Sequence, residues 1–317
     1  MSIELIISLV KANIVLAVLL TNTILLIWFE RKVVAGMQSR VGPDRAGPFG
    51  ILQTLADAIK LLLKEQILPS KADRAMYLLA PLIALVPSFL IFMIIPLGPD
   101  ITVEWQNALY TIPLVGADLN VGVLYFLALS SIAVYSVVLA GWSSGSKYPL
   151  LGGVRASAQM ISYEAAMGLA LVPVILYSGS LSLVDIVNSQ SGNLSSSIPI
   201  LNTIVSFIPK WNIFPQFVAF GIFFIAAVAE VNRAPFDLVE AEQELVGGFH
   251  TEYSGFRFAM FFLAEYINMF NMCAITATFF LGGWLGPTFE GILPPIFSVI
   301  MPIIWLGVKT FLLLFVF

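Results

Sequence analysis

Glu230-Val231-Asn232-Arg233-Ala234-Pro235-Phe236-Asp237-Leu238-Val239-Glu240-Ala241-Glu242-Gln243-Glu244-Leu245 opens the stretch that decides the fold, and it runs on through Glu252-Tyr253 to Glu265-Tyr266. Seven of the nineteen acidic residues lie in it: Glu230, Asp237, Glu240, Glu242, Glu244, Glu252 and Glu265. Apolar runs flank it at 216–234 and 257–283, each long enough to cross a hydrocarbon layer of roughly 30 Å. Ionisable groups set against hydrocarbon are costly, and where they persist they handle protons or cations.

Composition points the same way. The chain is 59% hydrophobic and only 11% charged, whereas soluble domains carry about a quarter charged residues. A soluble domain cannot hide that much apolar surface, but lipid can cover it. The predicted fold class is an all-α polytopic membrane protein, one transmembrane domain over 1–317. The single cysteine, Cys273, excludes an internal disulfide and any Cys-x-x-Cys metal site. No Gly-x-Gly-x-x-Gly and no Walker-type loop is present, and His250 stands between Phe249 and Thr251 with no ligating neighbour. No metal or cofactor is expected on this chain, so any redox centre belongs to another. The N-terminus has no basic region or small-residue cleavage site, so the first apolar run reads as a retained span.

Seven spans are predicted: 5–29, 76–96, 121–142, 157–177, 216–234, 257–283 and 297–317. Pro81, Pro87 and Pro173 fall inside spans, where kinks are expected. The first span ends at Glu30-Arg31-Lys32, and residues 30–75 read as a polar loop. Within it, about 49–65 predicts a helix opened by Pro48. Gln53, Asp57, Lys60 and Lys64 make one stripe of that helix, and Ile51, Leu52, Leu55, Ile59, Leu62 and Leu63 cover the rest. It is too short to span and reads as an interfacial amphipathic helix. Ser178 to Lys210 reads as an external loop. Residues 230–256 read as an acidic loop in which Pro235 breaks the preceding helix. No repeat is visible, which weighs against inverted-repeat transporters. The last apolar run reaches Phe317 without a basic flank, which reads as a chain cut short.

Charge sets the orientation. Twelve of the fifteen basic residues follow the first, third and fifth spans: Arg31, Lys32, Arg40, Arg45, Lys60, Lys64, Lys71, Arg74, Lys147, Arg155, Arg233 and Arg257. The positive-inside rule then predicts an external N-terminus and cytoplasmic basic and acidic loops. Counted from the predicted span starts at 1.5 Å per residue, Glu164 lies roughly 11 Å and Glu265 about 12 Å inward from that side. Glu230 sits near the same end of the fifth span. Any one of these acids has an ordinary reading as ion-paired glue to Arg233, Arg257 or Lys309, but three at similar depth favour a proton pathway. Glu240 and Glu244 share a helical face; no matching base lies near, so the run extends the file of acids. Arg31, Lys32, Arg40 and Arg45 fit anionic lipid head groups as readily as the rim of a cleft that admits an amphiphile.

Several blocks resemble one family closely. These are Phe29-Glu30-Arg31-Lys32, Gln38-x-Arg40-x-Gly42-Pro43, Ala46-Gly47-Pro48-x-Gly50-x-Leu52-Gln53, Ala56-Asp57-x-x-Lys60, Ser162-Tyr163-Glu164, the run from Ala229 to Gly248, Glu252-Tyr253 and Ala264-Glu265-Tyr266. Together they are similar to the quinone-channel membrane subunit of respiratory complex I, the proton-pumping NADH:quinone oxidoreductase. The resemblance implies a subunit of a translocase, not catalytic alone, that forms much of the quinone-binding chamber. It implies that Arg31, Lys32, Arg40, Asp57, Arg233, Phe236 and Asp237 bind or shape the path of the quinone. Glu164, Glu230, Glu240, Glu242, Glu252 and Glu265 would be the acidic channel coupling quinone reduction to proton translocation. FMN and iron–sulfur clusters would reside in partner subunits of the hydrophilic arm. Other membrane-arm subunits, quinone and the bilayer of an energy-converting membrane complete the expected partners; nucleic acid is not among them. The family usually continues past Trp305-x-x-x-Lys309-Thr310 into a basic loop and an eighth span, before which this sequence stops. The alternatives are the related membrane subunit of an energy-converting hydrogenase, a stand-alone proton-coupled carrier and a structural anchor.

Overall fold

The structure, a computed structural model, describes residues 3–105, 108–193, 209–237, 245–287 and 296–317. In chain order its elements are α1 (Ile3–Met37), α2 (Gln53–Leu63), α3 (Arg74–Met93), β1 (Ile101–Trp105), β2 (Ala108–Ile112), α4 (Gly122–Ser143) and α5 (Lys147–Ser178). There follow α6 (Leu183–Ser189), α7 (Phe217–Glu230), α8 (Gly255–Phe280) and α9 (Ile296–Val316). Val10–Met37, α3, α4, α5 and α8 are long and apolar enough to cross a membrane. The other two predicted spans correspond to shorter apolar helices, α7 and Ile300–Val316. The chain is an all-α polytopic membrane protein, with one small hairpin added.

Two compact units are present. The first comprises Met1–Leu90, Leu129–Ile161 and Ala234–Met269, and the second Ile91–Ala128, Ser162–Arg233 and Phe270–Phe317. Helices α3, α4, α5 and α8 give residues to both.

In the first unit, Tyr77, Ala80, Ala84, Ala140, Tyr253, Phe261 and Ala264 form a buried cluster. The alanines let helix backbones approach closely, the usual means of packing helices in lipid. Ser88 adds a hydrogen bond from its hydroxyl to the Ala264 carbonyl at 3.5 Å. A second cluster joins Val134, Val137, Ala156 and Met160. Two backbones meet at Gly152 and Gly248: a Cβ on Gly152 would stand 2.7 Å from the Gly248 Cα. In the second unit, β1 and β2 pair antiparallel from Ile101↔Ile112 to Trp105↔Ala108. Its core holds Phe223, edge-on to Phe279 with centroids 6.0 Å apart, beside the fully buried Phe280.

Several expectations are corrected. Helix α1 does not stop at Glu30-Arg31-Lys32 but continues to Met37, because charged residues end hydropathy without ending a helix; it closes where Ser39 turns to φ 55. Pro48 opens a separate 3-10 turn, Pro48–Gly50, and not α2. Phe49 at φ 55 breaks the helical path, and Gly50 at φ 77 packs where a Cβ would meet the Pro43 carbonyl at 2.3 Å. Helix α5 starts at Lys147, ten residues before the predicted span, with Pro149 in its first turn where a missing N–H is tolerated. Glu164 therefore lies near the middle of a 32-residue helix. The segment after Ser178 contains α6, N-capped by the Ser182 hydroxyl accepting from the Asp185 N–H at 3.4 Å. Pro235 is not what ends α7. That helix stops at Glu230, where Asn232 adopts φ 56 and the Arg233 N–H bonds the Val228 carbonyl at 3.4 Å, a left-handed C-cap with proline following it.

Candidate functional site

Four of the predicted site residues, Arg31, Lys32, Arg40 and Asp57, lie on or beside the α1–α2 connection. Arg31 on α1 donates to the Asp57 carboxylate of α2 at 2.6 Å. Gln53, one turn earlier on α2, donates to the other Asp57 oxygen at 3.1 Å. Burial pushes the Asp57 carboxyl up, but the Arg31 and Gln53 hydrogen bonds and the charges of Arg31 and Lys60 outweigh it, leaving it below its ordinary value. Lys32 reaches Asp44 at 3.7 Å. Arg40 is exposed and contacts the Gln38 side-chain oxygen. A Trp28 indole N–H bond to the Phe49 carbonyl at 2.9 Å ties this loop back to α1. The sequence stripe of α2 thus holds as far as Gln53, Asp57 and Lys60, while Leu52, Leu55, Ile59, Leu62 and Leu63 remain exposed apolar residues.

Also in the first unit, Gln159 of α5 donates to the Phe236 carbonyl at 2.8 Å, tying down the turn that follows α7. Phe236 is half-buried and Asp237 exposed. Glu265 is half-buried on α8, next to the buried Ala264. Glu252 is half-buried just before α8. In the second unit, Glu230 is the last residue of α7 and is buried, 6% exposed. Arg233 and Glu164 are half-buried. Glu240 and Glu242, with Glu244, lie outside the described residues.

A family model described as NADH dehydrogenase matches residues 10–317. The chain is 47% identical over 321 residues to an H-type NADH-quinone oxidoreductase subunit of Koribacter versatilis, covering 99% of this chain and 86% of that one. To the corresponding protein of Syntrophobacter fumaroxidans it is 50% identical over 299 residues, 94% and 81% of the two chains. To that of Frankia alni it is 50% identical over 311 residues, 98% and 64%. The chain belongs to the family of H-type NADH-quinone oxidoreductase subunits. It is accordingly a multi-pass membrane subunit of an oxidoreductase complex, not catalytic by itself.

Other side chains in this family member carry interactions that no sequence pattern marks. His250, isolated in the sequence, is ringed by Phe249, Phe258 and Phe262, with centroids 5.0, 5.3 and 5.9 Å away. Burial holds its imidazole down at about 4. Tyr77 and Tyr253 stack with ring centroids 4.1 Å apart and planes 3° from parallel. Burial also pushes the Tyr253 hydroxyl up. In the second unit the Lys309 ammonium donates to the carbonyls of Leu281 at 2.6 Å, Gly283 at 2.9 Å and Leu285. It also stands 4.3 Å from the centre of the Trp211 ring. Beside it the Gln190 amide donates to the Thr278 carbonyl at 3.0 Å and accepts from the N–H groups of Asn212 at 3.1 Å and Gly282 at 3.0 Å. Asn212 donates to the Phe279 carbonyl at 2.8 Å. The end of α8 is therefore capped by three side chains from distant parts of the chain. Lys309 is the one charge in its apolar run, and hydropathy averages it away, whereas Gln190 sits between Ser189 and Ser191 where nothing singles it out.

Proposed function

We propose that this chain forms a wall of a quinone-binding chamber and the acidic path that couples quinone reduction to proton translocation. Membership of this NADH-quinone oxidoreductase family supports the substrate class. The observation that carries the coupling role is Glu230, a buried carboxyl group at the end of an apolar helix, where a polar turn begins. Arg31, Lys32, Arg40, Asp57, Arg233, Phe236 and Asp237 line or shape the path of the quinone. The Arg31–Asp57 pair supports this role by fixing α2 against α1 with its apolar residues still exposed, a surface suited to an amphiphile arriving from lipid. Glu164, Glu230, Glu240, Glu242, Glu252 and Glu265 pass protons onward. The N-terminus lies outside and the basic and acidic loops face the cytoplasm. The first loop and the acidic loop are then the surfaces offered to partner subunits, whose FMN and iron–sulfur clusters deliver the electrons.

Quinone reduction consumes two electrons and two protons; quinone and quinol are both neutral, so each proton drawn from a side chain of the chamber leaves a negative charge next to whichever carboxylates border it. At an effective dielectric constant of about 20, a unit charge 4 Å away is worth on the order of 4 kcal/mol, or about three pK units. That suffices to change the protonation of a neighbouring acid and to pass the change along a file of them. Replacing Glu164 or Glu230 by glutamine in the intact complex is expected to lower quinone reduction and proton pumping together. Fully coupled activity in both variants overturns the reading. A photoreactive quinone analogue is expected to label residues near Arg40 or Asp57, and labelling confined to other subunits overturns the chamber assignment.

A further inference from the structure

The stacked tyrosines are more than filling. The Tyr77 hydroxyl on α3 donates to the backbone carbonyl of Glu252 at 2.7 Å. The Tyr253 hydroxyl, one residue further on, donates back to the Tyr77 carbonyl at 3.2 Å. The two bonds cross over a pair of rings packed face to face at 4.1 Å, and both residues are buried, Tyr77 at 0% and Tyr253 at 5% exposure. Phe261 closes the stack edge-on to Tyr253, with centroids 4.9 Å apart. The Arg257 guanidinium lies 5.6 Å from the centre of the Tyr77 ring, and its Nη1 atom is buried without a hydrogen-bond partner among the described residues. A tyrosine buried only for its area needs no partner for its hydroxyl beyond a convenient one. Here each hydroxyl donates to the backbone beside the other ring, so the Glu252–Tyr253 turn is tied to α3 by two reciprocal bonds. The same turn is anchored at its far end by the Ser254 hydroxyl, which accepts from the Ile67 N–H at 2.9 Å.

We propose that Tyr77 and Tyr253 are positioning residues for Glu252. Their crossed bonds clip the turn before α8 onto α3 and fix where the Glu252 carboxyl group stands, with the Arg257 charge held against the same clip. This rests on the proposed role of Glu252 in proton coupling. Losing the Tyr77 hydroxyl while keeping both rings frees the Glu252 carbonyl and lets the carboxyl group move relative to Arg257.

The test is the pH profile of NADH:quinone reduction by the intact complex in membranes, for Tyr77→Phe, Glu252→Gln and the double variant. NADH oxidation by a water-soluble acceptor serves as the measure of assembly. Tyr77→Phe is expected to move one limb of the profile by about half a pH unit or more, the size of one lost neutral hydrogen bond. It is expected to produce no further shift once Glu252 is already glutamine. A Tyr77→Phe profile that superimposes on that of the unmodified complex, while Glu252→Gln is impaired, overturns the positioning role alone. An unimpaired Glu252→Gln overturns the coupling role of Glu252 and this proposal with it. An equal shift in the Tyr77→Phe and double variants shows that the clip acts elsewhere, and likewise overturns it. Where Tyr77→Phe does not assemble, Tyr253→Phe breaks the other bond, keeps both rings and is read in the same way.

Discussion

The Arg31–Asp57 pair and the lysine at the end of α8 hold charge in opposite ways. Arg31 and Asp57 meet at 2.6 Å with side chains 45% and 34% exposed. Lys309 is 8% exposed, and its ammonium is held by three backbone carbonyls and the face of an indole ring. Water competes for the first pair at every moment, so the bond selects a geometry for α2 without holding the fold together. Around Lys309 the competing solvent is gone. The carbonyls of the turn just past α8 have no helix or sheet donor at hand, and a cation there also faces the negative end of the helix dipole. For Lys309 the acceptors are thus backbone carbonyls, while for Arg31 the acceptor is a carboxylate still partly exposed.

Removing the ammonium tests that contrast most severely. Lys309→Met leaves the Leu281, Gly283 and Leu285 carbonyls without their donor, which is expected to cost about 3 kcal/mol or more. Thermal unfolding of the solubilised protein would show it as a clear fall in Tm, and an unchanged Tm breaks the comparison. His250 provides an intermediate case. Its imidazole sits at about 4 in the folded protein and near 6.5 when unfolded, so the unfolded state takes up the proton first as pH falls. Stability is therefore full above about pH 6.5 and declines down to about pH 4, by about 2 kcal/mol at pH 5. His250→Phe should flatten that decline, measurable as Tm against pH; an unaltered slope removes burial as its cause. The smallest effect belongs to the exposed pair. A double-mutant cycle over Arg31→Ala and Asp57→Asn is expected to give less than about 1 kcal/mol of coupling. The folded Asp57 carboxyl lies below its ordinary value of 3.8, so this contribution is present above that pH and fades as pH falls through the folded value. Coupling as large as the Lys309 effect would erase the distinction.

Much of the architecture was legible because hydrocarbon imposes a length on every apolar run, and α3, α4 and α8 begin and end within a few residues of the hydropathy limits. What failed were the ends governed by backbone geometry. Hydropathy stops at Glu30, yet nothing in Val33-Val34-Ala35-Gly36-Met37 prevents α1 from continuing. Pro235 looked like the breaker of α7, but the left-handed Asn232 had already closed it. The β1–β2 hairpin escaped notice because a short strand pair outside the spans leaves little periodicity. In the site, depth counting picked out Glu230, which is buried, and the resemblance named Arg31 and Asp57 singly, but their pairing at 2.6 Å was not legible in the sequence. Tyr77, Tyr253, Gln190 and Asn212 stayed hidden, since their importance lies in carbonyl partners that no side-chain pattern encodes.

The shortness of α7 has a consequence for hydration. Its 14 residues rise about 21 Å, well under the roughly 30 Å of hydrocarbon that α3, α4 and α8 are long enough to cross. Bare backbone cannot face lipid at that depth; it must be enclosed by protein or wetted. The turn that follows α7 meets part of that demand itself: the Val231, Asn232 and Arg233 N–H groups bond the Ala227, Ala229 and Val228 carbonyls at 3.2, 3.3 and 3.4 Å, so these donors need no water.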